Sequence, residues 1–327
     1  MNKLNYRKIP IMVVPTGIGA TIGGFAGDAS QYARKIANEF GLIVNPNVVN
    51  AACFSGITDK MFYTEGWGLS QFVKGKLKLN PSKNNKIGVI FDKAIPQNIL
   101  NIHINTINAM KCVYGFDIED FVITKENVGI EYFITSDNIS TGGIKNHQTL
   151  LDAAQILVKK GVQTLAVVCF FEEIDEDNDD YEQGLGVDIV GGVEGIISHY
   201  ISQKMFVPTV HAPAFAESNI IDTKIVNSKA ASEYITPTFL PCLFFGLNNA
   251  PLYSKDTGIS NEQISALIMP YNSLGSSIVL DCLEKNVPVI AVKENKTCLN
   301  INCNNLGIND IISAETYNDC INVLRKL

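Results

Sequence analysis

An apolar run that breaks straight into a glycine-dense turn constrains this chain more than any other feature. Residues 9–27 read IPIMVVPTGIGATIGGFAG, with the run stopping at Pro15 and five glycines falling between Gly17 and Gly27. Glycine lets a backbone turn tightly or pass close to another surface. A strand followed by such a turn and then a helix brings backbone N–H groups and a helix N-terminus to the crest of a sheet, where an anion can bind. Thr16, Gly17, Gly19, Gly23 and Gly24 are therefore candidate anion contacts. The competing reading is a tight turn with close helix–strand packing.

The rest of the chain repeats the same alternation. Strands are expected at Ile9–Pro15, Leu42–Asn45, Lys86–Phe91, Phe121–Thr124, Thr164–Phe171, Val207–His211, Ala266–Pro270 and Val287–Val292. Helices are expected at Asp28–Phe40, Gln97–Tyr114, Asn146–Lys160, Gly192–Lys204, Ser228–Tyr234, Ser276–Asn286 and Glu315–Lys326. Alternating β and α segments predict an α/β fold with a mostly parallel sheet flanked by helices, Rossmann-like, in two lobes around a cleft. A boundary is expected in the polar stretch Ser136–Asn146, giving an N-terminal lobe over 1–140 and a C-terminal lobe over 141–327, with one continuous domain as the alternative. A weak echo links MVVPTGIGATI at 12–22 with LIMPYNSLGSSI at 267–278. Two such loops can face each other across a cleft.

Composition narrows the partners. Net charge is −7 and no Lys/Arg-rich run occurs, which argues against nucleic acid. The apolar runs 165–171 and 239–247 are too short to span a membrane. MNKLNYRK enters the first strand without an apolar leader segment, so no signal peptide is expected. The eight cysteines are scattered and form no C-x-x-C, as in a reduced cytoplasmic protein. A homo-oligomer is compatible with all of this.

The motifs point to polar chemistry without naming it. Gly17-x-Gly19 with Gly23 and Gly24 misses the G-x-G-x-x-G dinucleotide fingerprint by one residue, and the second strand ends in Asn45 rather than an acid. Asn45, Asn47 and Asn50 can orient a substrate, or form an Asx-turn that starts a helix. Gly191 and Gly192 form a second glycine-rich helix entry, with Glu194 in its first turn and Asp188 just before it. His211 is expected at the C-terminal end of a strand and is the best general acid/base candidate, with Asp188 as its partner. Lys293 and Asn295 end another strand and are candidate substrate contacts. The acidic run 172–182 reads as a solvated lid, with Mg²⁺ held against a bound phosphate as the alternative. The histidine spacing argues against a zinc site, and no cofactor can be named. Cys53 and Cys242 would suit a two-base pair, although burial explains them as well.

Several blocks in order resemble the domain-of-unknown-function 3326 family of cyanobacteria, other bacteria and plants. They are VPTGIGATIGGFAGDA at 14–29, NPNVVNAA at 45–52, YTEGWGL at 63–69, GVDIVGGVEGIISH at 186–199, VPTVHAPAF at 207–215, TFLPCLFFGLNNAP at 238–251 and VPVIAVKEN at 287–295. The resemblance covers nearly the whole chain and implies no settled mechanism. The function expected is an enzyme acting on a small carboxylate- or phosphate-bearing metabolite by general acid/base chemistry. Two alternatives stand beside it, an NAD(P)-dependent oxidoreductase and a non-catalytic metabolite-binding or regulatory protein.

Overall fold

Two parallel sheets carry the chain in a computed structural model that describes residues 8–25, 27–172, 179–216 and 225–327. The larger runs, edge to edge, Ile311–Ala314, Val289–Val292, Ile264–Pro270, Ile9–Met12, Leu42–Val44 and Met61–Tyr63, with every pair parallel. The smaller runs Thr209–Phe215, Thr164–Phe171, Ile87–Phe91 and Ile118–Ile123, again all parallel. Central strands such as Ile9–Met12 and Ile87–Phe91 are buried along their whole length. Helices cover both faces of such strands, which is why they read as continuous apolar runs instead of alternating ones.

Chain order and sheet membership do not coincide. The six-stranded sheet is drawn from both ends of the chain and the four-stranded sheet from its middle. A boundary at residue 140 therefore cuts the smaller sheet, where Ile87–Phe91 pairs with Thr164–Phe171 across it. The polar stretch expected to be a linker is instead part of an antiparallel hairpin, Ile130–Ile134 with Ser140–Ile144.

Each sheet has one point where the strand order reverses. In the larger it lies between Ile9–Met12 and Ile264–Pro270, because the chain leaves the first toward Leu42–Val44 and the second toward Val289–Val292. The two echo loops leave these adjacent strands at that point. Open α/β sheets bind ligands outside the carboxyl ends of their strands at such a reversal. In the smaller sheet the reversal lies between Ile87–Phe91 and Thr164–Phe171, and it is plugged. The buried Asp92 carboxylate there accepts the N–H groups of Ala94, Val128 and Phe170.

Most expected elements form within a residue or two of their limits, including Gln97–Tyr114 and Thr164–Phe171. Among the described helices of eight or more residues, two were not foreseen. Gly66–Val73 starts on a glycine pair, and Leu240–Asn248 is apolar on nearly all sides, so neither shows a 3.6-residue rhythm. The helix expected at 228–234 is only a 3₁₀ turn at Ala231–Ile235. Among the described residues no helix is long and apolar enough to cross a membrane. The eight cysteines are unpaired.

Candidate functional site

A cavity of about 880 Å³ opens at the reversal point of the larger sheet. That sheet contributes the loops after its strands, at Val13–Thr16, Asn45–Asn50 and Glu65–Trp67, with Met269 and Ser276–Ile278 beside them. The opposite wall comes from the smaller sheet, through the edge strand Thr209–Phe215 and the start of the helix Gly191–Met205.

Local packing aims that helix. Its second residue is Gly192, where an added Cβ would stand 1.9 Å from the Ser140 carbonyl oxygen of the hairpin. Ser140 Oγ accepts the Gly192 N–H at 3.0 Å and donates to the Ile189 carbonyl at 2.6 Å. Opposite, Gly17 takes φ +70° and packs against the same glycine, in a region open to few other residues. The helix thus presents Glu194 and Ser198, one turn apart on one face, to the edge strand.

These side chains form the acid/base wall. His211 Nδ1 hydrogen-bonds Ser198 Oγ at 2.8 Å, and its Nε2 lies 4.0 Å from Glu194 Oε2. His211 is the third residue of Thr209–Phe215, not its C-terminal end, so it faces the helix from within the strand. Burial, with a smaller contribution from nearby His199, pushes the His211 imidazole down to about 3. Glu194 is 6% exposed, and burial followed by the Asp188 and Glu233 charges holds its carboxyl well above the usual range. The histidine is therefore an unprotonated base at neutral pH, and burial shifts Glu194 toward its protonated, uncharged form. The partner expected for His211 was Asp188. Its Oδ1 instead accepts the Val190 and Gly191 N–H groups, both at 3.1 Å, and Glu194 takes the place beside the histidine.

Further titratable groups border the same space. Glu65 is buried at the end of Met61–Tyr63 and caps Gly66–Val73, accepting the Trp67 and Gly68 N–H groups at 2.7 and 2.6 Å and the Tyr253 hydroxyl at 2.5 Å. Burial raises its carboxyl to about 7 against the lowering effect of those donors. His199 Nε2 lies 3.8 Å from Glu65 Oε2. Tyr181 donates to Glu233 at 2.7 Å. Burial also raises Asp188. Among the described residues no lysine or arginine lines the cavity.

Thr16, Gly24, Asn45, Asn47, Asn50, Asp188, Glu194 and His211 all come together here. Much of the backbone and amide capacity assigned to ligand is already engaged within the protein. Gly23 N–H donates to Asp28, Ile22 N–H to Asn295 and Thr21 N–H to the Lys296 carbonyl. Asn45 clamps Val14 through both its backbone groups, Asn47 donates to the Gly23 carbonyl at 2.6 Å, and Asn50 accepts from Tyr63. Gly191 and Gly192 donate to Asp188 and Ser140. The glycine loop is mainly a packed turn, and Gly17, Gly19, Gly23, Gly191 and Gly192 lie off the cavity lining.

Two candidates fall elsewhere. Lys293 pairs at 2.7 Å with Glu315 on the surface. Asn295 is fully buried and grips Ile22 through both backbone groups while donating to the Tyr317 hydroxyl, so it holds the loop in place. Cys242 lines the cavity, but burial pushes its thiol up to about 12 and Cys53 is also raised, so neither is a thiolate. Within the acidic run, residues 173–178 lie outside the described residues. Among those described, no three His, Cys, Asp or Glu side chains are grouped to hold a metal ion.

Glu65, Ser198, His199, Tyr181 and Glu233 were not foreseen as site residues. Glu65 stands between a strand and a glycine, and Ser198 four residues after Glu194. Those are the only local signals either carries.

The family model described as a protein of unknown function, DUF3326, matches residues 9–327, nearly the whole chain. An uncharacterized lipoprotein of Synechococcus sp. is 34% identical over 308 residues, covering 91% of this chain and 85% of that protein. No solved structure matches.

Proposed function

The chain belongs to the DUF3326 family, and we propose that it is an enzyme acting on a small carboxylate- or phosphate-bearing metabolite by general acid/base chemistry. The observation that carries this reading is the hydrogen-bonded pair His211–Ser198 with Glu194 beside it on the cavity wall. Environments that push two neighbouring groups in opposite directions assign the acid and the base. Glu194 supplies a proton and His211 removes one, with Ser198 fixing the ring. Asn45 and Asn47 hold the loop walls in shape.

The anionic end belongs at the helix Ser277–Glu284. Its cap residue Ser276 makes no side-chain capping bond, and Ser276, Ser277 and Ile278 line the cavity. Backbone N–H groups and the helix dipole favour negative charge there. The anion site thus moves from the first glycine loop to its echo. In this reading the two sheets act as Rossmann-like lobes that close around the metabolite.

The test incubates the protein in D₂O with small carboxylate and phosphate metabolites and follows deuterium uptake or conversion by NMR. His211→Gln and Glu194→Gln should each slow the reaction by roughly 10²–10⁴-fold with the fold intact. Equal rates in the wild type and both variants would sink the assignment. Binding without any exchange or conversion would favour a non-catalytic binding protein.

Eight unpaired thiols support a reducing, cytoplasmic location. The lipoprotein description of the Synechococcus relative points to a membrane-attached alternative. Recovery of the native protein in the membrane fraction would overturn the cytoplasmic reading.

A further inference from the structure

The proton on one imidazole decides what the acid/base wall can hold. Ser198 Oγ donates to the helix carbonyls of Gly195 and Glu194, at 3.2 and 3.4 Å, the back-bond that a serine takes inside a helix. Its lone pairs are left for His211, whose Nδ1–H it accepts at 2.8 Å. A neutral imidazole carries one ring proton, and burial, pushing the His211 ring down to about 3, keeps it neutral at ordinary pH. With that proton on Nδ1, Nε2 is a bare acceptor turned toward Glu194.

Glu194 offers the complement. Burial favours its uncharged form, which carries an O–H donor. Its Oε1 has no hydrogen-bond partner among the described residues, so no acceptor there holds the proton away from Oε2. Oε2 stands 4.0 Å from His211 Nε2, beyond a direct hydrogen bond. Two contacts of about 2.8 Å reach across that gap through one shared oxygen.

Such an oxygen has to accept from the acid and donate to the imidazole. A hydroxyl does both, whereas a carbonyl or carboxylate oxygen cannot donate and an ammonium cannot accept. Resting on the proposal that the cavity is an acid/base metabolite site, we infer that the substrate carries an alcohol hydroxyl, bound between Glu194 Oε2 and His211 Nε2. The ligand class is a hydroxy acid or a hydroxyalkyl phosphate. Ser198 is a positioning residue, since it sets which imidazole nitrogen meets the ligand.

The experiment measures binding to the full chain by saturation-transfer NMR and thermal shift. Its probes are matched triplets: small hydroxy acids and hydroxyalkyl phosphates, their deoxy counterparts and their amino counterparts. At least one hydroxy compound should bind about tenfold or more tightly than both counterparts, because analogues leave the site's polar groups unpaired. Glu194→Met removes the donor and His211→Phe the acceptor, and each should reduce that preference to about twofold or less. Glu194→Gln keeps a donor and should hold hydroxy-compound affinity to within about threefold of wild type. The ring ¹⁵N shifts of His211 in the wild type need no substitution and should show a protonated Nδ1 and a bare Nε2. Ser198→Ala should mix the two tautomers.

Deoxy or amino compounds binding as tightly as hydroxy ones would overturn the hydroxyl inference. So would a preference that survives both Glu194→Met and His211→Phe, or a proton on Nε2 in the wild type. The acid/base reading then still stands if deuterium uptake or conversion depends on His211 and Glu194. Binding of no series would remove both proposals.

Discussion

Replacing Glu65 by glutamine should abolish a pH dependence of stability that the wild-type fold carries. Glu65 is 2% exposed, and its carboxyl is raised from 4.5 to about 7, chiefly by burial. A carboxyl raised on folding binds its proton more tightly in the native than in the unfolded chain. Its contribution to stability is therefore fully present below about 4.5 and is lost as pH rises through about 7. The gap is roughly 2.5 pH units, and at about 1.4 kcal/mol per unit the loss is roughly 3 kcal/mol. Glutamine keeps one acceptor for the helix-capping N–H groups but turns an amide toward another donor. That mismatch is a fixed cost of about 1 kcal/mol at every pH. Urea unfolding of both proteins at pH 4 and pH 8.5 isolates Glu65, because the other titrating groups are common to the pair. The difference in unfolding free energy should shift by roughly 3 kcal/mol in favour of the variant between the two pH values. A difference constant to within about 0.7 kcal/mol would refute the argument that an ionised Glu65 is held in the fold against its desolvation.

Two further substitutions test the scaffold behind the site. Asn295→Ala removes the bonds to both backbone groups of Ile22 and the bond to Tyr317 inside the core. It should cost about 3 kcal/mol in urea unfolding, and a loss under about 1 kcal/mol would show that the loop needs no such clamp. Gly192→Ala drives a Cβ to within 1.9 Å of the Ser140 carbonyl oxygen, whereas Gly143→Ala meets nothing within 4 Å. The first should cost about 3 kcal/mol or more and the second stay within about 0.5 kcal/mol; similar melting temperatures for both would contradict the close helix–hairpin contact.

Legibility varied with how local each cause was. The strands Ile9–Met12 and Thr164–Phe171 and the helix Gln97–Tyr114 depend on apolar content and periodicity over a few residues, so they were readable directly. Leu240–Asn248 escaped because a helix buried on nearly all sides has no polar face to mark its period. His211 and Glu194 were both picked out as residues, but their pairing was not. The two are 17 positions apart, and only the packing of a helix against an edge strand brings them to 4.0 Å. Lys293 and Asn295 show the converse. Both stand at a strand end, where ligand contacts are common, yet one meets a surface glutamate and the other turns inward to hold a loop.

Sequence alone determined that the first strand runs into a turn of glycines and that this unit recurs near residue 270, because backbone freedom and apolar runs are properties of short segments. Tertiary structure decided what those glycines are for. Sheet order sets the two turns side by side at the reversal point, and Asn45, Asn47, Asp28 and Asn295 engage much of the first loop's polar backbone. It also decided the charge of the cavity. Acids that lie far apart along the chain face one space with no lysine or arginine among its described lining residues, an outcome set by which surfaces the fold brings together.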